Sequence, residues 1–209
     1  MERHVLVTGG AGSIGAPFVR MLLAEQDVRV TVLDALLPED TRRVKEQRLQ
    51  DLRSHPRFTF VEGDVRDPAI RQRVFAVASV DVVVHLVTTY DASDPLHQHR
   101  VNVGGTLQVL EWMRSEGIPR MVLGSTTKAK GADGGMKAIA RTPVDLHAAG
   151  ALAAEEFARV HARLHGAAIT VVRFGDDAAA HPDEGIGTLR SVCFDPPSTG
   201  FGIVEVGSR

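Results

Sequence analysis

His4-Val5-Leu6-Val7-Thr8-Gly9-Gly10-Ala11-Gly12-Ser13-Ile14-Gly15 is the stretch that decides the fold. It begins as a short apolar, β-branched run, passes through a glycine-rich turn and opens an amphipathic segment, Ile14–Glu25. A strand that turns sharply into a helix needs one residue free to take a positive φ and one small enough to let the helix close on the sheet. Gly9 and Gly15 stand at those places. Gly12 leaves the main chain bare where a phosphate would approach, the helix start offers N–H groups, and Ser13 adds a hydroxyl. Asp34 then closes the second apolar run, at the offset of an acid that accepts hydrogen bonds from ribose hydroxyls and repels a 2′-phosphate. Loop and acid together predict a dinucleotide site, with NAD favoured over NADP as the cofactor.

Outward from that loop, apolar runs alternate with longer amphipathic segments. The runs predict strands at His4–Thr8, Val28–Leu33, Phe58–Glu62, Val80–Leu86, Arg120–Gly124 and Ala168–Phe174. Helices are expected at Ile14–Glu25, Glu39–Ser54, Pro68–Ala78, Leu96–Glu116 and Val144–Leu164. Gly117-Ile118-Pro119 and His165-Gly166 read as stops for the last two. Near-continuous apolar strands separated by helices specify an α/β fold, a doubly wound Rossmann-type parallel sheet buried on both faces. Residues 1–175 form the expected NAD-binding domain. Residues 176–209 are expected to be a remnant C-terminal segment, not an independent domain, with short strands at Leu189–Phe194 and Gly202–Val206.

Composition narrows the partners. The 209 residues are 44% hydrophobic and 24% charged, with a net charge of −2, so no basic field draws nucleic acid or anionic lipid. Cys193 is the one cysteine, which excludes an internal disulfide and a cysteine-held zinc. Met1-Glu2-Arg3-His4 runs into the first strand without a signal-peptide pattern, and the run from Val80 to Val87 is too short to span a bilayer. A cytoplasmic location is the expectation. Asp91, Asp94, His97 and His99 fit no metal-ligand spacing; Asp94-Pro95 reads instead as a helix cap followed by a first-turn proline.

Further motifs follow the loop. Gly63-Asp64-Val65-Arg66-Asp67 comes after the third strand, His85-Leu86-Val87 ends the fourth, Asn102-Val103-Gly104-Gly105-Thr106 lies in the fourth long helix, and Arg173 ends the sixth strand. With the loop they make the chain resemble the extended short-chain dehydrogenase/reductases, the NAD-dependent epimerase/dehydratase family. Within it, Phe58–Asp64 and His161–Arg173 are most similar to dTDP-glucose 4,6-dehydratases. The resemblance covers about Val5 to Arg173. It implies that Asp64 and Val65 flank the adenine, that Leu86 and Val87 lie along the cofactor, and that Asn102 stabilises the central sheet. The cofactor-binding set is then Gly9, Gly12, Ser13, Ile14, Gly15, Asp34, Asp64, Val65, Leu86 and Val87.

The chain departs from the family where the chemistry sits. The family pattern has a Tyr, and a Lys four residues later on one helix face, which lowers the phenol's pKa. Here His147 takes the Tyr position and Ala151 the Lys position. Tyr90, the one tyrosine, is expected near a different strand. Ser125-Thr126-Thr127-Lys128 stands where dehydratases carry Ser-Thr-Asp-Glu, so both carboxylates used for water elimination are replaced. Asp176-Asp177 and the alanines at 178–180 replace the family's Asn and Tyr-Gly-Pro, and the C-terminal substrate domain is expected to be reduced to a short tail.

A substitute catalytic set remains: His147 for proton transfer near neutral pH, Thr126 to orient a carbonyl, and Lys128 to stabilise negative charge. The expected function is an enzyme of altered acid–base chemistry (isomerisation, cyclisation or elimination) on a small or sugar-like substrate. The alternatives are an oxidoreductase or epimerase with a relocated proton donor, and a non-catalytic NAD-binding scaffold. A homodimer is expected through the fourth and fifth long helices, with Leu152, Phe157, Val160, Val109 and Trp112 as interface candidates.

Overall fold

The six apolar runs from His4 to Phe174 become strands, with helices laid across them in between. The computed structural model describes residues 2–37, 41–76, 78–90, 93–130, 145–175, 182–195 and 200–207. The expected helix starts at Glu39 and Val144, Asp91, Asp176-Asp177 and the alanines at 178–180 lie outside these residues. In chain order the elements are β1 (Arg3–Thr8), α1 (Gly15–Ala24), β2 (Val28–Asp34), α2 (Arg42–Leu49), β3 (Phe58–Glu62), α3 (Ile70–Phe75) and β4 (Val82–His85). They continue with α4 (Pro95–His99), α5 (Gly105–Glu116), β5 (Arg120–Thr126), α6 (Leu146–His165), β6 (Ala168–Phe174), α7 (Pro182–Phe194) and β7 (Phe201–Val206).

Among the described residues seven strands form one sheet in the order β3-β2-β1-β4-β5-β6-β7, and every neighbouring pair is parallel. Strand alternation sorts the core into two layers. Val5, Val7, Val82 and Val84 pack on one face with Phe18, Leu22, Leu189 and Cys193. Leu6, Val83 and Leu123 pack on the other with Val109, Trp112 and Ala158. After β3 the chain crosses back to lay β4 against β1. That reversal opens a crevice beyond the carboxyl ends of β1 and β4, where ligands of such sheets bind.

The stops act as the sequence predicts: Gly117 and Gly166 cap α5 and α6 in the left-handed conformation, at φ 67 and 70. Asp94 caps α4 by accepting from the His97 N–H, with Pro95 in the first turn.

Several expectations need correction. The helix expected as one piece over Leu96–Glu116 widens into a π-turn at Arg100–Gly104, between α4 and α5. Its cause is visible in Asn102, whose carbonyl accepts the Thr106 hydroxyl at 2.8 Å while its side chain turns out of the helix. The strand expected at Leu189–Phe194 is the second half of α7. Gly185, Leu189 and Cys193 recur at helical spacing on its buried face. Gly185 marks close packing there rather than a loop, because a Cβ on it would stand 3.0 Å from the Phe174 ring. Finally, Val109 and Trp112 are fully buried in the core and cannot be interface residues.

Candidate functional site

Gly9 leaves β1 at φ +74, and a Cβ there would lie 2.8 Å from the Leu86 carbonyl. The carboxyl ends of β1 and β4 therefore touch at this glycine, and Leu86 and Val87 border the loop. Gly15 is needed for the same kind of reason: its Cβ would stand 2.5 Å from the Gly9 carbonyl oxygen. Gly10, which the sequence reading passes over, is held by Val32, whose Cγ1 would meet a Cβ at 2.7 Å. The loop is closed by a bond from the Gly12 N–H to the Gly9 carbonyl at 3.0 Å. Ser13 is exposed at the rim, Ile14 is half-buried, and among the described residues no side chain caps α1. A bare main-chain cradle leading to an uncapped helix start has the shape and polarity that a pyrophosphate requires.

Asp34 ends β2 beside this cradle and is almost fully buried. Its Oδ2 accepts the Ala11 N–H at 3.0 Å, and its Oδ1 accepts the Leu36 N–H at 2.8 Å. Lys45, on α2, adds an ion pair at 3.1 Å, a partner the sequence reading did not foresee. A carboxylate has about four lone-pair positions, so capacity for a ribose hydroxyl remains. The residues fit the adenosine half of a dinucleotide.

The other residues named for adenine differ in what they present. Val65 lies in the core, its Cγ1 against Gly105. Asp64 is half-exposed and gripped by Arg66, whose Nε reaches Oδ1 at 2.9 Å. That guanidinium holds the Asp64 carboxyl below the usual carboxylate range.

Across the crevice, the chain leaving β4 meets the start of α6. Asn102 pins this loop from both sides, accepting the Thr89 N–H at 2.8 Å and donating to the Thr89 carbonyl at 2.9 Å. Thr88, next in line, places its Oγ1 2.9 Å from Nε2 of His147, the second residue of α6. Tyr90 lays its ring edge-on to the same imidazole, with centroids 5.7 Å apart. Tyr90 does follow a different strand, β4, as expected, but its loop reaches over to the start of α6. Strand order brings the loop after β4 to the start of α6, and no local sequence signal carries that.

Thr126, at the end of β5, is buried and accepts the Lys128 N–H at 3.3 Å. Lys128 acts on His147 through its charge. The three residues named for catalysis therefore lie at one end of the sheet. The His147 pKa is lowered, first by burial and then by Lys128, with Asp145 opposing. Burial and Lys128 thus favour the neutral imidazole, the form that can accept a proton.

Beneath them runs a network absent from the sequence reading. Glu155 of α6, fully buried, takes a fork from Arg173 of β6 at 2.8 and 2.6 Å and the Ser125 hydroxyl at 2.6 Å. It locks α6, and so His147, to β5 and β6. Among the described residues no group of His, Cys, Asp and Glu gathers to hold a metal, and no helix is long and apolar enough to cross a membrane.

Comparisons with known proteins bear on this arrangement. The model of the NAD dependent epimerase/dehydratase family matches residues 5–188. A UDP-glucose 4-epimerase of Lacticaseibacillus casei is 30% identical over 190 residues, covering 88% of this chain and 54% of that protein. A dTDP-glucose 4,6-dehydratase of Streptomyces griseus is 37% identical over 138 residues, covering 63% and 40%. The chain thus spans about half the length, or less, of these relatives. In fold it is similar to a UDP-glucuronic acid 4-epimerase of Bacillus cereus solved with UDP-glucuronic acid and NAD, at a TM-score of 0.84 and 17% identity, covering 99% of this chain and 78% of that one. It is also similar to a dTDP-glucose 4,6-dehydratase of Bacillus anthracis in complex with NAD, at a TM-score of 0.79 and 19% identity, with 99% and 76% covered.

Proposed function

The chain belongs to the NAD dependent epimerase/dehydratase family, and from that premise we propose that it is an NAD-binding enzyme of altered acid–base chemistry on a nucleotide sugar or similar small substrate. The Gly9–Gly15 cradle would hold the pyrophosphate, Asp34 the adenosine ribose, and Leu86 and Val87 the wall of the crevice. Bound there, NAD supplies a hydride acceptor. His147 takes and returns a proton, Thr126 orients a substrate oxygen by its hydroxyl, and Lys128 offsets negative charge that develops on that oxygen.

One observation supports the reading: His147, which the resemblance sets at the position of the family's phenol, is a half-buried imidazole bonded to Thr88, its neutral form favoured by burial and by the Lys128 charge. Relatives named for UDP-glucose give the substrate class to try first. We further propose that copies of the chain pair through α6, where Phe157 and Val160 are exposed.

The test is calorimetric titration with NAD+ followed by NMR of UDP-glucose conversion, for the native chain, His147→Ala and Lys128→Ala. All three should bind NAD+, and His147→Ala should turn over about a hundredfold more slowly. Native rates in both variants would falsify the catalytic assignment. NAD+ binding by the native chain without conversion of any nucleotide sugar would favour a scaffold.

A further inference from the structure

We propose that Tyr90 is a catalytic acid–base residue of this cleft, its phenol exchanging a proton with a substrate oxygen from the loop after β4, beside the start of α6. It is the one tyrosine of the chain. The inference rests on the cofactor reading above and adds to it a group from outside the helix where the family's motif is sought.

Three placements carry it. Tyr90 lies on the loop that starts at the contact between Gly9 and Leu86, so it belongs to the same end of the sheet as the phosphate cradle. The residue before it, Thr89, has both its N–H and its carbonyl bound by Asn102, which fixes where the loop delivers the ring. The ring then rests edge-on against His147, with an interplanar angle of 65°. Despite those anchors, Tyr90 is 68% exposed. A large aromatic side chain held in place yet left open to solvent beside a ligand crevice offers its hydroxyl to whatever enters.

The step is a simple proton transfer. The phenol O–H bond breaks, an O–H bond forms on the substrate oxygen, and the electron pair stays on the phenol oxygen. The reverse transfer from a substrate hydroxyl restores it. Asp145 and Lys128 act electrostatically on His147, so the charge around the pair is set by α6 and by the turn after β5. Thr88, bonded to the imidazole, is the neutral member.

A single phenol makes the test clean. Tetranitromethane nitrates accessible tyrosines and also attacks thiolates. Cys193 is fully buried and its thiol is pushed up to about 11 by burial, so nitration reports Tyr90 alone. NAD+ with UDP-glucose should slow nitration of Tyr90 several-fold, as followed by mass spectrometry, whereas UDP-glucose with a chain lacking bound NAD+ should protect less.

Tyr90→Phe keeps the ring contact and removes only the hydroxyl of an exposed side chain, so the fold is not at risk. It should bind NAD+ as the native chain does, lose about a hundredfold in kcat with KM changed less than about threefold, and shift the alkaline limb of the pH–rate profile. Native kcat and an unchanged pH profile in Tyr90→Phe, with His147→Ala impaired, would overturn this inference and leave the function reading standing. Failure of the native chain to bind NAD+ overturns both, and calorimetry separates that outcome from the first.

Discussion

His85 ends β4 with its ring fully buried, its Nδ1 2.6 Å from the Thr8 hydroxyl. Among the described residues its Nε2 has no hydrogen-bond partner, and burial pushes its pKa down to about 4. The folded state therefore binds fewer protons than the unfolded chain, where the imidazole titrates near 6.5. The stability this neutral ring contributes is complete above pH 6.5 and is lost as pH falls toward 4. At pH 5 the loss amounts to about 2 kcal/mol. His4 and His161, also lowered by burial, act in the same direction, so the useful quantity is a difference between variants. Urea unfolding at pH 7 and pH 5 should show the native chain losing about 2 kcal/mol more than His85→Gln. At this scale much was legible in the sequence. Gly9 and Gly15 announce themselves because a turn imposes local demands that only glycine meets. Lys45 and Tyr90 do not, because their partners, Asp34 and His147, are set by packing between distant segments.

The fork between Glu155 and Arg173 joins α6 to β6 of the sheet. Both side chains are shut off from water, at 0% and 6% exposure, so losing the Glu155 charge leaves the buried guanidinium only its longer pair to Glu205, at 3.4 Å. Glu155→Gln should cost about 3–5 kcal/mol in urea unfolding, and the double change Glu155→Leu with Arg173→Met should recover most of it, because an apolar pair leaves no buried charge. The element pattern explains which parts of the fold could be read in advance. Strands β1, β2, β4, β5 and β6 were legible because burial on both faces writes a near-continuous apolar run, and the edge strand β3 because its aromatic and β-branched residues suit a half-buried strand. The helix α7 was not, because Gly185 and Gly187 look like a loop and only the Phe174 ring reveals why Gly185 is there. The π-turn at Arg100–Gly104 was hidden for a related reason: it follows from the grip of Asn102 on another segment, not from helix propensity.

At the scale of the molecule, α6 carries a row of exposed apolar side chains, Leu146, Phe157, Val160 and Leu164, while its other face lies on the sheet. Such a row favours pairing with a second copy. Light scattering should give twice the 22.5 kDa of one chain, and Phe157→Glu should return it to one chain and remove the concentration dependence of the unfolding midpoint. A single-chain mass for the native protein would end the proposal. The order of the sheet also governs how the protein is made. β1 is synthesised early and pairs at once with β2, but its other neighbour, β4, lies far downstream: His4 and Asp81, which hydrogen-bond at 2.8 Å, are 77 positions apart. Until β4 leaves the ribosome, the nascent chain carries a half-sheet whose open edge is β1, with Val5, Leu6 and Val7 all destined for the core. A long-range parallel pairing forms slowly, and an open apolar edge recruits other chains. The reversal that creates the ligand crevice therefore also makes the time before β4 arrives the period of greatest exposure to aggregation.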